Sequence, residues 1–123
     1  MPYIPIPEAV KAGLRGESST IVCEHNVAGH VQTFSTPAMV SLMERAAVDA
    51  LHRHLAEGQT SVGYEVNVRH LAPTPIGQRV RCVAEVLEVQ GNKVLFSVEA
   101  HDESKKIGEG AHRRAIIVRG PGK

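Results

Sequence analysis

The length of the chain, 123 residues, is enough for one domain and leaves no room for a second. Hydrophobic residues at 42% and charged residues at 22% are typical of globular proteins and not of disordered tails. The net charge of +1 and the aromatic content of 3% argue against nucleic acid, which is bound through basic patches and stacked rings. No apolar run approaches the roughly 20 residues of a membrane helix, so we expect no membrane partner.

Cysteine and histidine usage points to an ordinary intracellular protein. Cys23 and Cys82 are too few for a disulfide framework, and both lie in apolar runs, so we expect two buried free thiols. The seven histidines show no metal-ligand spacing, and we predict no metal site. The N-terminus has no basic region of the kind that begins a signal peptide, which leaves the cytoplasm as the expected location.

The first third of the chain predicts an extended segment, a strand and a loop. Residues 1–7 contain three prolines and cannot form a helix. Residues 17–23 are rich in β-branched side chains and predict the first strand. Residues 25–35 are polar, contain Gly29 and predict a loop.

One long helix follows. Thr36 and Pro37 are a natural pair for the N-cap and the first residue of a helix. Residues 37–56 contain no glycine or proline and are dominated by good helix formers. We therefore predict a helix of about 20 residues and about 30 Å, which ends before Gly58.

The rest of the chain predicts four strands. Residues 62–70 alternate, with one set of side chains on the apolar face: Val62, Tyr64, Val66, Val68 and His70. The opposite face of this strand carries the other set: Gly63, Glu65, Asn67 and Arg69. Three further strands are predicted with turns between them, at residues 78–90, 93–101 and 107–118, and Gly91-Asn92 suits a tight hairpin turn. Residues 119–123 are expected to be a short disordered tail.

A single long helix buries its apolar stripe most economically in a curved antiparallel sheet. We therefore predict an α+β hotdog fold, in which a strand, the helix and a meander of four antiparallel strands form one domain over residues 1–123. One helix does not cover a five-stranded sheet, so we expect two copies to join their sheets edge to edge.

Glu44 and His70 are polar residues at positions where the pattern predicts apolar ones. Glu44 shares a helix face with Val40, Met43 and Ala47, where a carboxylate is costly unless it is paired or solvated. The alternative is a rotated apolar stripe with Glu44 at its exposed margin. His70 ends the apolar face of its strand, and taken alone it is better explained as a satisfied core histidine than as a catalyst.

Thr36 is the third candidate, and the three converge. Taken alone, its hydroxyl is explained by capping, but a helix N-terminus also favours a developing oxyanion. Glu44 lies eight positions further on, which corresponds to about 12 Å of rise and roughly 80° of rotation. Its side chain leans toward Thr36, and His70 approaches from the sheet. A hydroxyl, a carboxylate and an imidazole at a helix N-terminus suit acyl transfer.

Two further patterns carry weaker expectations. Gly108-Glu109-Gly110 lies within a strand and predicts a bulge or a close backbone approach. The basic pairs Lys105-Lys106 and Arg113-Arg114 are either solvated surface or contacts for the phosphates of coenzyme A.

Three segments together resemble the fluoroacetyl-CoA thioesterase group of hotdog enzymes: FSTPAMVSLMERAA, SVGYEVNVRHLAPTPIG and AHDESKKIGEGAHRRAII. The similarity runs from about residue 34 to 118 and includes Thr36, Glu44, Gly63 and His70. It implies a catalytic group in which Glu44 is the nucleophile or activates water, His70 supports proton transfer and Thr36 polarises the substrate.

The resemblance also implies a substrate and an assembly. It implies hydrolysis of an acyl-CoA thioester, with Gly63, Phe34 and Met39 binding the substrate. Coenzyme A enters as part of the substrate, and no separate cofactor is implied. The assembly implied is a homodimer, or a tetramer, with active sites near the subunit interface.

The loop before Thr36 departs from the fluoroacetyl-specific pattern. Residues 23–35 are short and hold one aromatic residue, Phe34, in place of a longer aromatic-rich lid. We therefore expect a thioesterase for short or aryl acyl groups. Two alternatives stay open: a non-catalytic hotdog module that binds acyl-CoA, and a hotdog dehydratase or hydratase, although the Asp and His motif of the latter is absent from the sequence.

Overall fold

One α-helix packs against a sheet of five β-strands in the computed structural model, which describes residues 5–119. The elements in chain order are β1 (Arg15–Ile21), α1 (Thr36–Leu51), a 3-10 turn (His52–His54), β2 (Gln59–His70), β3 (Arg79–Gln90), β4 (Lys93–His101) and β5 (Lys106–Val118). Arg119, the first residue of the predicted tail, donates its backbone N–H to the carbonyl of Gly58 at 2.8 Å. Residues 1–4 and 120–123, which include most of both predicted terminal segments, lie outside the described residues.

The core lies between the helix and the inner face of the sheet. The period-two pattern of β4 is confirmed, because Val94, Phe96, Val98 and Ala100 are all buried. The helix reaches the sheet closely at Gly16 of β1, where a Cβ atom would overlap the backbone of the helix at Ala46 and Ala50. No helix in the described part of the chain is long and apolar enough to cross a membrane.

The start of the helix corrects one prediction. The N-cap is Ser35 and not Thr36, since the Ser35 hydroxyl accepts a hydrogen bond from the Ala38 N–H at 3.2 Å. Ser35 has the extended backbone of an N-cap, with φ −81° and ψ 153°. Thr36 is therefore the first helical residue, and its hydroxyl is free for another partner.

The end of the helix also differs from its predicted position. The predicted helix over residues 37–56 is too long, because α1 ends at Leu51 and a 3-10 turn follows. Leu51 is the last buried residue of the stripe, and the exposed or half-buried His52, Arg53 and His54 offer no further apolar side chain to bury. Gly58 does not stop the helix but takes a φ of +87° in the turn before β2.

The strand order also differs from the predicted meander. The sheet runs β1-β3-β4-β5-β2, so β3, β4 and β5 form a meander while β2 pairs with β5 at the far edge. Pro73 and Pro75 in the connection between β2 and β3 are incompatible with a tight hairpin. The chain instead crosses from one edge of the sheet to the strand beside β1.

A β-bulge in β2 corrects the predicted faces of that strand. The register shifts between Gly63 and Glu65, so that Gly63 pairs with Arg114 while Val66 pairs with His112. The shift places Gly63 on the inner face together with Val66 and His70, and not on the opposite face as the alternation predicted. Close backbone approach is confirmed at the two glycines of β5, since a Cβ atom at Gly108 would overlap Met39 and one at Gly110 would overlap β2.

Candidate active site

Thr36 and His70 are in direct contact. The Thr36 Oγ1 lies 2.8 Å from the His70 Nδ1, and the bond joins the first turn of the helix to the last residue of β2. The contact is possible because Ser35 supplies the N-cap and leaves the threonine hydroxyl unused. The hydroxyl has a single proton, so its role depends on the tautomer of His70. An unprotonated Nδ1 accepts that proton and makes the Thr36 oxygen more nucleophilic, whereas a protonated Nδ1 donates to Oγ1 and leaves the hydroxyl proton to polarise a substrate.

The surroundings of His70 favour its neutral form. Burial lowers the pKa of His70 from its ordinary value of 6.5. Its second ring nitrogen, Nε2, is buried and has no hydrogen-bond partner among residues 5–119. A buried polar atom without a partner is costly, so a substrate or a partner group at this position would be favoured.

The helix N-terminus offers fewer donors than the sequence suggested. The Ala38 N–H is bonded to the Ser35 hydroxyl and the Met39 N–H to the Ser35 carbonyl, at 3.2 and 3.0 Å. Pro37 has no N–H at all. The Thr36 hydroxyl is thus the side-chain donor that this end of the helix presents to a substrate.

Thr36 and His70 line an open cleft of about 310 Å³. Its walls come from the loop before the helix and from the segment after β2, and include Ala28, His30, Val31, Phe34, Leu71 and Pro73. Phe34 is almost fully buried and forms part of the cleft, whereas Met39 is completely buried and does not line it. Met39 therefore influences a bound substrate only indirectly, through the positions of the residues packed against it.

Glu44 lies two turns further along the helix, at the margin of the apolar stripe. Its side chain is 42% exposed, while Met43, Ala47 and Leu51 beside it are buried. The alternative of an exposed margin is therefore the correct description. Glu44 borders a second cleft of about 350 Å³, and no hydrogen bond in the described part of the chain joins it to Thr36 or His70.

Gly63 and Arg114 are the groups that face Glu44. A Cβ atom at Gly63 would lie 2.8 Å from the Glu44 Oε2, so the bulge in β2 gives the carboxylate its space. The Arg114 Nη1 lies 3.9 Å from the same oxygen, within ion-pair range but beyond hydrogen-bond distance. The carboxylate is thus balanced by a positive charge while its oxygens stay available to water or substrate.

Arg114 and His112 are the site residues that the sequence reasoning missed. The pair Arg113-Arg114 was expected at the surface or near phosphates, yet Arg114 is only 6% exposed. It donates from Nε to the Ser61 hydroxyl at 2.9 Å and from Nη2 to the Ser61 carbonyl at 3.1 Å. Its position two residues after the buried His112 in a strand was the signal that both share the inner face.

The remaining candidates are engaged in local interactions. Lys105 pairs at 2.8 Å with Asp102, whose side chain is buried, and Lys106 pairs with the partly exposed Glu109 at 2.9 Å. Cys82 is buried as predicted, and burial raises the pKa of its thiol to about 12, whereas Cys23 is half-buried. Within residues 5–119, no group of three or more potential ligands is arranged to hold a metal ion.

Comparison with known proteins identifies similar enzymes. Residues 16–120 match the family model described as fluoroacetyl-CoA-specific thioesterase. The fluoroacetyl-CoA thioesterase of Streptantibioticus cattleyicolor is 34% identical over 121 residues, which cover 89% of this chain and 87% of that protein.

Solved structures show the same architecture. A fluoroacetyl-CoA thioesterase superposes with a TM-score of 0.83 at 34% identity, over 89% of each chain. A hot-dog-like protein from Thermanaerovibrio acidaminovorans superposes with a TM-score of 0.84 at 28% identity, over 90% of this chain and 86% of that one. A thioesterase superfamily member from Thermus thermophilus gives 0.82 at 31% identity, over 95% and 88%. The predicted α+β hotdog fold is thereby confirmed.

Proposed function

Because the chain belongs to the fluoroacetyl-CoA-specific thioesterase family, we propose that it hydrolyses an acyl-CoA thioester with Thr36, Glu44 and His70 as its catalytic group. The overall reaction adds water across the carbonyl–sulfur bond and releases a free acid and the thiol of coenzyme A. The single observation that carries the assignment of residues is the 2.8 Å contact between the Thr36 hydroxyl and the His70 Nδ1.

In this proposal, Thr36 and His70 act at the carbonyl and at the leaving group. The Thr36 hydroxyl polarises the thioester carbonyl at the positive end of the helix dipole. His70, whose neutral form is favoured because burial lowers its pKa, first takes up a proton and then delivers it to the departing thiolate, so that a proton lost by the attacking water ends on the sulfur.

Glu44 either activates the attacking oxygen or supplies it. It removes a proton from a water molecule that adds to the carbonyl carbon, or its carboxylate adds first and water then hydrolyses the resulting anhydride. In both routes the carbon–sulfur bond breaks and one water molecule is consumed. Glu44 and the Thr36–His70 pair border different clefts, so a substrate carbonyl has to lie between them.

The substrate class is also part of the proposal. A mutant of the fluoroacetyl-CoA-specific thioesterase, which is 34% identical to this chain over 89% of its length, has been solved in complex with fluoroacetate and CoA. Another mutant, at 32% identity, has been solved with fluoroacetate. Apart from His30 and His70, the cleft beside Thr36 is lined by Phe34 and by small or aliphatic residues. We propose short or aryl acyl groups, with coenzyme A carried by the substrate and no separate cofactor.

A homodimer is the proposed assembly. β2 is an edge strand, and its apolar residues Val62, Tyr64 and Val66 are 44%, 50% and 40% exposed. Pairing two β2 edges would satisfy their backbone groups and cover these side chains beside the site. Sedimentation equilibrium tests this assembly, and a monomer at micromolar concentration would contradict it. A tetramer and a cytoplasmic location stay predictions.

Thiol release from a panel of acyl-CoA substrates tests the function. We expect Glu44→Gln and His70→Asn each to lower kcat by about 100-fold or more while the melting temperature stays near that of the wild type. Glu57→Gln, at an exposed glutamate, is the matched control and should keep full activity. Near-wild-type turnover by Glu44→Gln would contradict the catalytic group.

The same panel addresses the non-catalytic alternative. A module that only binds acyl-CoA would show ligand-dependent thermal stabilisation without any release of free thiol. Absence of thiol release from every acyl-CoA, at concentrations that raise the melting temperature, would overturn the proposal in favour of that alternative.

A further inference from the structure

A buried histidine that takes no direct part in the proposed reaction lies behind the Arg114–Glu44 pair. His112 on β5 has its Nδ1 at 2.9 Å from the Glu65 carbonyl and its Nε2 at 3.2 Å from the Arg114 Nη1. We propose that His112 is a positioning residue for thioester hydrolysis, which holds the Arg114 guanidinium toward Glu44. The inference rests on the proposed function, because Glu44 has to act in catalysis for its position to matter.

The hydrogen bonds of His112 determine which nitrogen carries the proton. A carbonyl oxygen only accepts, so the Nδ1 facing Glu65 is the protonated nitrogen. A guanidinium only donates, so the Nε2 facing Arg114 has to be the unprotonated acceptor. His112 is therefore a neutral imidazole with one donor and one acceptor, and both are used. Burial, reinforced by the charge of Arg114, lowers the pKa of His112 and favours the same state.

Arg114 is fixed on the sides that face away from Glu44. Ser61 accepts from Nε with its hydroxyl and from Nη2 with its carbonyl, and His112 accepts from Nη1. A guanidinium is planar, so three acceptors in one fork define both its position and its orientation. Nη1 itself lies 3.9 Å from the Glu44 Oε2.

The imidazole is itself held rigidly. The ring of Phe96 stacks against it, with centroids 6.2 Å apart and planes at 27°. The Glu65 carbonyl that anchors its Nδ1 lies at the bulge in β2, next to Gly63. The same bulge thus creates the space at Gly63 and the anchor for His112, which links the irregular strand to the position of the carboxylate.

The arrangement leaves the oxygens of Glu44 free of a hydrogen bond from Arg114. A guanidinium that was not held would rotate into a bidentate hydrogen bond with the carboxylate and occupy the oxygens that water needs. Held at 3.9 Å, it balances the charge without taking a lone pair. Loss of the His112 acceptor should therefore lower kcat more than it raises KM.

Two substitutions of His112 separate its two hydrogen bonds. In His112→Asn the side-chain amide keeps the donor to Glu65 but has no atom that reaches Arg114. In His112→Gln the side-chain carbonyl reaches the position of Nε2 and accepts from Arg114. We expect kcat to fall about tenfold or more in His112→Asn, with KM within about twofold, and to recover to within about threefold of the wild type in His112→Gln.

Ser61→Ala and His101→Asn complete the set. Ser61→Ala removes another acceptor of Arg114 without touching the packing of His112, so it should also lower kcat at unchanged KM even if His112→Asn fails to fold. His101→Asn is the matched control, because His101 is half-exposed and pairs with Glu99 outside the site. It should keep wild-type kcat and KM.

A double-mutant cycle with Glu44→Gln provides the decisive readout. If His112 acts through the Glu44 carboxylate, His112→Asn should change the residual rate of Glu44→Gln by less than about twofold. Three results would each overturn the proposal. The first is an equal loss of rate from His112→Asn with and without Glu44→Gln, and the second is full activity of both folded His112→Asn and Ser61→Ala. The third is a His112→Gln variant as defective as His112→Asn. A Glu44→Gln variant with wild-type activity would instead contradict the proposed function itself.

Discussion

Replacing Gly63 by alanine is expected to displace the Glu44 carboxylate and leave the fold intact. The added Cβ atom would lie 2.8 Å from the Glu44 Oε2, 2.9 Å from the His112 Cε1 and 3.1 Å from the Arg114 Nη1. Ordinary contact begins at 3.4 Å, so an atom in the path has to move by about 0.6 Å. Hydrogen bonds hold His112 and Arg114, whereas no hydrogen bond from residues 5–119 holds the Glu44 side chain, so the carboxylate moves.

The displacement sets the expected cost to catalysis. A misplacement of about 1 Å in a reacting group costs about 100-fold in rate, so we expect kcat of Gly63→Ala to fall between about tenfold and 100-fold. The free energy of unfolding should change by less than about 1 kcal/mol, because local strain is offset by the reduced entropy of the unfolded chain. The backbone of Gly63 does not have a positive φ and accepts an alanine.

Thiol release and urea denaturation measure the two quantities separately. Gly29→Ala is the matched control, since a Cβ atom there meets nothing within 4 Å, and it should leave kcat unchanged. If folded Gly63→Ala hydrolyses acyl-CoA at the wild-type rate, the position of the Glu44 carboxylate next to Gly63 is not important for catalysis, and the reasoning from this contact is refuted.

Three further predictions concern the start of the helix, the contact between helix and sheet, and the two histidines with lowered pKa values. Thr36→Val should lower kcat about tenfold or more, whereas Thr36→Ser should retain most of it. Because Ser35 is the cap, the free energy of unfolding of both variants should stay within about 1 kcal/mol of the wild-type value. A stability loss as large as that of Ser35→Ala would contradict this. Gly16→Ala should destabilise the protein by about 1–3 kcal/mol in urea denaturation, since the added methyl overlaps the helix backbone, and an unchanged midpoint would refute that packing. The free energy of unfolding should fall as pH drops below 6.5. The reason is that the pKa values of His70 and His112 in the folded state lie below their ordinary value, so the unfolded chain binds more protons. Urea titrations between pH 5 and 8 that show no such slope would contradict this.

Local patterns in the sequence were sufficient for the elements themselves. The alternation of β4 placed Phe96 and its neighbours in the core, and the run of helix formers located α1 to within a few residues. Both depend on the periodicity of adjacent residues and on intrinsic preferences, which a single sequence contains. The family resemblance was carried by residues spread over three segments and is confirmed by the family model and by the relatives.

Contacts between distant segments decided the rest. Ser35 and Thr36 are both good cap residues, and only the position of His70 beside the Thr36 hydroxyl distinguishes their roles. Strand alternation places Arg114 on the same face as His112, but only the pairing of β5 with β2 places it opposite Gly63.

The sequence by itself determined the helix and the strands, because each is encoded in the pattern of neighbouring residues, and it predicted Thr36, Glu44 and His70 as the catalytic group. Only the tertiary structure decided the strand order, the bulge in β2 and the surroundings of Glu44. A one-residue bulge exchanges the two faces of a strand, and it is defined by pairing with residues about 50 positions away along the chain. Such pairing has no periodic signal in either segment alone.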